Sequence, residues 1–522
     1  MLITQILEKN AKLYKNDISL VDISAIDNNK NDFLRKEITW YEFNKESNKF
    51  ANLLLSNGIK KGDKVAILLM NCIEWLPIYF GILKTGAIAV PLNYRFTSEE
   101  IKYCLELACV DVLIYSEQFR EKIENIYNSL DNIKYLFYLG DECPLYSKNY
   151  NLLMTKSSSR SPKIEINEMD DAAIYFSSGT TGFPKAILHV HKSLLQSCII
   201  EQKHHLQTKN DTFLCIPPLY HTGAKMHWFG SLLVGGKAVL LNVINPHLIL
   251  KTISQEKCSI VWLLVPWAQD ILDSLENKDI SLEDYDLSDW RLMHIGAQPV
   301  PLTLINNWKK LFPNQQYDTN YGLSESTGPG CVHLGIENFH KVGSIGKAGF
   351  GWETKIVDEE LNDVKTGEIG ELAVKGLGIM KCYLNDEKAT SEVLKDGWLL
   401  TGDIAREDED GFIYLVDRKK DIIISGGENI YPVQIENFLR KNDGISDVAV
   451  IGLPNSRLGE IVAAVIKVKE GIEMVETDII NFCKELPKYK RPKKIIFADV
   501  PRNSTGKIEK TKLRETYCGI VL

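Results

Sequence analysis

The sequence predicts an α/β protein in which helices cover sheets, with a large N-terminal part followed by a smaller α+β part. Three observations predict it. Apolar strand-like runs alternate with segments of helical spacing along the chain, the pattern of layered sheets and helices. The 522 residues exceed what one hydrophobic core usually organises, so at least two domains are expected. A short charged bridge, Arg418-Lys419-Lys420-Asp421, separates the apolar run Tyr414-Leu415-Val416 from Ile422-Ile423-Ile424, and charged links between cores often mark hinges. The boundary is placed there, giving domains 1–417 and 418–522.

The N-terminal elements can be taken in order. Thr39-Trp40-Tyr41-Glu42 has the form of a capping box, Phe43, Phe50, Leu53 and Leu54 follow at helical spacing, and Asn57-Gly58 supplies the stop. A strand from Val65 to Met70 comes next, then a segment from Trp75 to Thr85 and a strand from Ala87 to Leu92. Thr97-Ser98-Glu99-Glu100 repeats the capping-box form. There is no internal repeat and no low-complexity tract.

Composition excludes several function classes. With 44% hydrophobic and 25% charged residues the chain is ordinary globular material. The longest apolar stretches, such as Ile260 to Ala268, are too short for a membrane span, and the N-terminus lacks a basic-then-apolar secretory pattern, so a cytoplasmic location is expected. Eleven cysteines occur with no C-x-x-C pair, which indicates neither a zinc site nor a disulfide framework. A net charge of −8 argues against nucleic acid as the principal partner. The C-terminal end is locally basic, at Lys488 to Lys494 and at Lys507, Lys510, Lys512 and Arg514. A solvated face explains this, and so would a site for a 3′-phosphorylated nucleotide such as CoA.

The stretch richest in chemistry is Ser177-Ser178-Gly179-Thr180-Thr181-Gly182-Phe183-Pro184-Lys185. It joins the strand-like runs Ala172 to Phe176 and Ala186 to Val190, so it runs from strand to strand and does not open a helix as a Walker loop does. Glycines let backbone N–H groups close around an anion, the hydroxyls add uncharged donors, and Lys185 supplies a mobile cation. A polar hairpin turn is the plainer reading, but chance would produce this string with odds on the order of one in a billion.

The string closely resembles the phosphate-binding signature of the adenylate-forming superfamily of acyl-CoA synthetases, luciferases and peptide-synthetase adenylation domains. Relatives usually carry Gly where this chain has Ala186, which keeps a small residue. The resemblance covers essentially the whole chain and implies a large N-terminal domain of several layered subdomains and a small mobile C-terminal domain. Pro218-Leu219-Tyr220-His221-Thr222-Gly223 is similar to the segment flanking the acyl pocket, with His221 as the gate residue. Asn320-Tyr321-Gly322-Leu323-Ser324-Glu325 resembles the motif in which the aromatic ring flanks adenine, a hydroxyl contacts the α-phosphate and the acid holds Mg²⁺; Ser324 replaces the usual Thr. Gly296-Ala297-Gln298-Pro299 looks like the companion wall of the adenine site. In Thr401-Gly402-Asp403 the resemblance assigns Asp403 to the ribose hydroxyls, with Arg418 as its partner. Lys420 stands at the hinge position, Gly426 and Gly427 along the CoA tunnel, and Lys507, in Pro501-Arg502-Asn503-Ser504-Thr505-Gly506-Lys507, at the position of the adenylation lysine.

These residues imply an AMP-forming acyl-CoA ligase that uses ATP, Mg²⁺ and coenzyme A. A free-standing enzyme that loads a separate carrier protein, and a sensor that has lost catalysis, stay open as alternatives. Thr222, Gly223, Met226, Trp228, Val265 and Trp267 suggest an apolar pocket, hence a fatty, alicyclic or aromatic acid. Lys225 and His227 would complicate it, but on a helix both are expected to face outward. No membrane span is expected, and a homodimer is compatible with the sequence.

Overall fold

Local signals set the first elements. In the computed structural model, Thr39 is the N-cap of the helix Trp40–Ser56, with its backbone N–H and hydroxyl both donating to Glu42 Oε2 while Glu42 N–H donates to Thr39 Oγ1. Thr97 and Glu100 repeat this reciprocal pair at the helix Ser98–Leu107. The intervening elements follow the expected order, as strand Lys64–Leu68, helix Trp75–Lys84 and strand Ile88–Pro91. The structure describes residues 1–25, 33–177, 184–296, 300–332, 336–425, 428–455, 457–502 and 507–518; the side chains of Ala25, Met226, His227, Pro329 and Ile336 also lie outside the described set.

The chain divides into two compact units, Met1–Thr354 with Val374–Leu399, and Lys355–Ala373 with Leu400–Leu522. Two sheets organise the first unit. In one, the strands Gln316–Asp318, Leu292–Gly296, Ile260–Leu264, Thr212–Cys215, Lys237–Leu241 and Ile18–Ala25 run parallel in that spatial order, and Phe33–Thr39 closes the edge antiparallel. Parallel strands covered on both faces need apolar residues at every position. Ile260 and Trp262 accordingly enter one core while Val261 and Leu263 enter another. The first core also holds Phe43, Phe80 and Trp228, whose rings meet at 5.4 to 5.9 Å.

In the other sheet the parallel strands Lys64–Leu68, Ile88–Pro91, Val112–Ser116 and Tyr135–Leu139 lead to a hairpin in which Asp171–Ser177 pairs antiparallel with Lys185–Val190. This is the strand-to-strand geometry expected for the phosphate loop. Residues 178–183 of that loop lie outside the described residues, as do Ala297, Gln298, Pro299, Gly426 and Gly427.

Two buried histidines flank the end of this hairpin. Burial pushes His189 down to about 3 and His191 to about 4, so both fold as neutral rings. Below the ordinary imidazole value the unfolded chain takes up protons that the fold refuses, so stability falls as pH drops from about 6.5 toward 4. A single such site contributes about 1.4 kcal/mol per pH unit. We expect His191→Gln to remove its share, so that urea denaturation at pH 7 and pH 5 shows a smaller acid loss in the variant. Parallel profiles for the two proteins would refute this.

In the second unit, strands Ile445–Asn455 and Gly459–Val468 form a long antiparallel pair extended by Ile423–Ser425, Glu428–Ile430 and Lys494–Phe497. Alternating residues separate two cores, with Val448, Val450, Val462 and Ala464 on one side and Ala449, Ile451, Ala463 and Val465 on the other. Helices Pro432–Leu439 and Lys510–Tyr517 contribute Ile435 and Leu439 to the first and Leu513 to the second. Among the described residues, no helix is long and apolar enough to cross a membrane.

Candidate active site

The hairpin register sets Ser177 directly opposite Lys185. Lys185 Nζ lies 4.7 Å from the centre of the Tyr383 ring, and the Tyr383 hydroxyl donates to Glu325 Oε1 at 2.9 Å. Tyr383 is held there because Cys382–Tyr383 adds an edge strand to Lys185–Val190. Glu325 belongs to the short 3₁₀ turn Ser324–Ser326, tied to the same hairpin by the His189 ring, whose Nε2 lies 2.8 Å from Ser324 O. With His189 neutral, this contact requires the Nε2–H tautomer. Gly378 packs under the turn so closely that an added Cβ would meet Ser326 O at 2.5 Å. Lys185 and Glu325, assigned separately from sequence, are therefore neighbours of one tyrosine. Tyr383 gave no signal in the sequence; only strand pairing reveals it.

The adjoining strand Asn320–Gly322 pairs with Pro329–Val332, which puts Tyr321 opposite Cys331 and leaves it 8% exposed. Ser324 and Glu325 are half-buried. Glu325 thus offers a half-buried carboxylate, an oxygen donor, at the tyrosine whose ring Lys185 also faces. It suits a hard Mg²⁺ ion carrying phosphate oxygens.

His221 is the N-cap residue of the helix Thr222–Val234, and its ring packs on Tyr220 at 4.2 Å. Gly223 faces Trp262, and a Cβ there would sit 3.0 Å from the indole Cη2. Trp267, the tryptophan expected at the acyl pocket, is half-buried against the core on the other face of the sheet. Trp262 is the one the structure brings to Gly223. The Pro217–Leu219 backbone is clamped by Asn71, whose side chain donates to Pro217 O at 3.0 Å and accepts from Leu219 N at 2.8 Å.

Lys225 does not face outward as expected. It is 1% exposed, donates to Leu219 O at 2.8 Å and His221 O at 3.2 Å, and lies 4.2 Å from the Tyr175 ring centre, with Trp75 and Tyr79 further round. Burial pushes its ammonium well below the usual lysine range. The helix face that carries Lys225 also carries Trp228, and that face is the core one. Lys225 thus links the strand that leads into the phosphate loop to the turn that carries His221.

The second unit holds its own paired group. Asp403 stands opposite Arg418 across antiparallel strands Trp398–Glu407 and Ile413–Arg418, and Arg418 Nε meets Asp403 Oδ1 at 2.7 Å. Arg418 also donates to Thr401 O at 3.3 Å, while Thr401 Oγ1 donates to Leu372 O and accepts from Asp403 N–H. The carboxylate is 4% exposed and oriented from both sides. Lys420 is in the 3₁₀ turn Lys419–Asp421, where burial lowers its pKa. Lys507 is exposed and follows residues 503–506, which lie outside the described set; an isolated bridge between Arg502 and Ile508 closes the base of that segment. Arg502 is itself anchored on Asp447 at 2.7 and 2.9 Å.

At the end of the hairpin, then, Lys185 and Glu325 converge on the ring and hydroxyl of Tyr383. The chain belongs to the AMP-binding enzyme family, whose model matches residues 7–384, and the family's C-terminal domain matches residues 434–507. It is thus an adenylate-forming enzyme. It is 32% identical over 488 residues to the long-chain-fatty-acid–CoA ligase FadD13 of Mycobacterium tuberculosis, covering 93% of this chain and 94% of that one. It is 30% identical over 484 residues to a feruloyl-CoA synthase of Amycolatopsis, covering 92% and 94%. Among solved structures, o-succinylbenzoate coenzyme A synthetase of Bacillus subtilis in complex with ATP and magnesium ion superposes with a TM-score of 0.83 at 26% identity, covering 98% of this chain and 99% of that chain.

Proposed function

We propose that this protein is an AMP-forming acid–CoA ligase. The observation that carries the reading is the Lys185–Tyr383–Glu325 cluster beside the phosphate hairpin, supported by the named activities of the relatives. In the first half-reaction a substrate carboxylate oxygen attacks the α-phosphorus of ATP, the bond to the β-phosphate bridge oxygen breaks, and pyrophosphate leaves. In the second the CoA thiolate attacks the acyl carbon and AMP departs, giving the thioester. A carboxylate has only oxide to lose, whereas its adenylate loses AMP.

Lys185 balances phosphate charge as pyrophosphate forms, and Ser324 hydrogen-bonds the α-phosphate. Glu325 holds Mg²⁺, which when bound withdraws charge from the phosphate oxygens. Tyr321, Gly322 and Asn320, with Ala297, Gln298 and Pro299, enclose the adenine. Asp403 accepts from the ribose hydroxyls, with Arg418 fixing its carboxylate. Lys507 bridges the acid and the α-phosphate, and Lys420 serves as the hinge that exchanges the adenylation lysine for the CoA tunnel at Gly426 and Gly427. A cytoplasmic location belongs to the same reading.

Thr222 and Gly223 with Trp262 line an apolar pocket for a fatty, alicyclic or aromatic acid. Because a Cβ at Gly223 would come within 3.0 Å of the indole, we expect Gly223→Val to raise KM for the acid about tenfold, the effect of about 1.4 kcal/mol of overpacking, with KM for ATP unchanged. Equal changes in both would remove Gly223 from the pocket. The experiment that tests the function is AMP and pyrophosphate release from MgATP with short, medium and long fatty acids, aromatic acids and dicarboxylic acids, each with and without CoA. CoA-dependent AMP release with one acid class supports the ligase. Pyrophosphate release without CoA stimulation points to a carrier-protein acceptor, and no release with any acid refutes the proposal.

A further inference from the structure

Three neighbouring parallel strands place Trp262, His294 and Asp318 in lateral register, Trp262 opposite His294 and His294 opposite Asp318. Side chains alternate along a strand, so His294 shares its face with Gly296, two residues on, where the adenine wall begins. Onto this row comes His205, which caps the helix His191–His204. His205, His294 and Asp318 are all 3% exposed or less.

Their donor atoms form a small triangle. His205 Nε2 is 3.1 Å from Asp318 Oδ2 and 3.2 Å from His294 Nδ1, and the third edge, His294 Nδ1 to Asp318 Oδ2, is 3.7 Å. Ligands at the roughly 2.0 to 2.1 Å typical of zinc–nitrogen and zinc–oxygen bonds lie about 3.3 Å apart at the corners of a tetrahedron. The three edges scatter about that length. Hydrogen bonds span at most two of the three edges, because the third is too long for one.

The surroundings are those of a metal-binding histidine. Glu201 Oε2 lies 3.1 Å from His205 Nδ1, on the far side of the ring, and Glu201 is 2% exposed. A carboxylate there fixes which ring nitrogen faces the ion. Asp318 Oδ1 accepts from Thr319 N–H at 2.8 Å, which orients Oδ2 toward the two rings. Two buried carboxylates, Glu201 and Asp318, match the charge of one divalent cation; the adjacent Arg291 is engaged by Asp211 at 2.8 Å.

We propose that His205 Nε2, His294 Nδ1 and Asp318 Oδ2 bind a divalent transition-metal ion, with Zn²⁺ the best match to this nitrogen–oxygen set. The site differs in chemistry from the carboxylate Mg²⁺ site at Glu325, since imidazole favours zinc and its neighbours over magnesium. Its role is structural: the ion ties the end of the His191–His204 helix to the strands that lead into Gly296 and Asn320–Gly322.

The test uses the full-length enzyme stripped with dipicolinate and titrated with Co²⁺, then Zn²⁺, in excess Mg²⁺. One Co²⁺ per chain is expected, with the intense visible bands of a tetrahedral site, displaced by Zn²⁺ and accompanied by a rise in Tm. Glu201→Gln should weaken binding about 10- to 100-fold while leaving the stoichiometry at one. His294→Gln and Asp318→Asn should abolish the bands and the Tm response. Co²⁺ binding that persists in both variants would overturn the proposal by placing the ion elsewhere. Should those variants fail to fold, the wild-type titration decides alone: sub-stoichiometric binding, or a weak octahedral spectrum, overturns it.

Discussion

Lys507→Ala is expected to lower the rate of acyl-adenylate formation by about 10² to 10³, the loss typical when one preorganised electrostatic donor is removed, or about 3 to 4 kcal/mol. Two anions must approach each other in the first half-reaction, and a fixed ammonium between them stabilises the charge that develops. The same group has no counterpart task in the second half-reaction, where a thiolate attacks an acyl carbon and AMP leaves. Thioester formation from supplied acyl-AMP and CoA should therefore change by less than about tenfold, an energy of about 1.4 kcal/mol. The segment's base supports reading the variant as local. The bridge between Arg502 and Ile508 and the paired contacts of Arg502 with Asp447 do not involve the Lys507 side chain. Single-turnover assays of each half separate the cases, and an equal loss in both would exclude the assigned role.

What the sequence made legible were features whose cause is local. Thr39 with Glu42, and Thr97 with Glu100, satisfy one another within a single turn, so each capping box could be read from four consecutive residues. The phosphate loop was equally plain because its strands are adjacent in sequence and pair with Ser177 opposite Lys185. Asp403 and Arg418, 15 positions apart, were paired by the resemblance, and they sit across one antiparallel strand pair.

The rest depended on which distant strands lie side by side. Tyr383 reaches Glu325 only because a two-residue strand attaches to the edge of the hairpin. Trp262 and Trp267 are five positions apart in one apolar run, and which of them meets Gly223 turns on where strand Ile260–Leu264 ends and helix Val265–Glu276 begins. Lys225 illustrates the same limit: a lysine on a helix ordinarily keeps its head in water, and its burial follows from three aromatic rings of other segments and the carbonyls of Leu219 and of its own N-cap, His221. His205, His294 and Asp318 carry no recognisable spacing, since the triangle is created by lateral strand register.

Glu325→Gln should have the second large effect, a fall of about 10² or more in adenylation at moderate Mg²⁺, partly restored as Mg²⁺ is raised. An amide keeps the shape and can still accept from Tyr383, but it removes the negative charge that attracts a hard divalent cation. Tyr383→Phe provides the contrast. It deletes the 2.9 Å hydrogen bond but leaves both the Glu325 charge and an aromatic face beneath Lys185. A hydrogen bond to a charged group contributes about 1.5 to 3 kcal/mol at most when buried, and Glu325 is only half-buried, so a loss nearer about tenfold is expected. The two variants also differ in kind. Glu325→Gln should shift the Mg²⁺ concentration for half-maximal rate, whereas Tyr383→Phe should chiefly lower kcat with little Mg²⁺ shift, because the tyrosine orients a carboxylate that retains its charge. If Glu325→Gln left the Mg²⁺ dependence of pyrophosphate release unchanged, the metal role would have to be assigned to another acid. If Tyr383→Phe moved it as far as Glu325→Gln, the hydroxyl itself would belong among the groups that hold the ion.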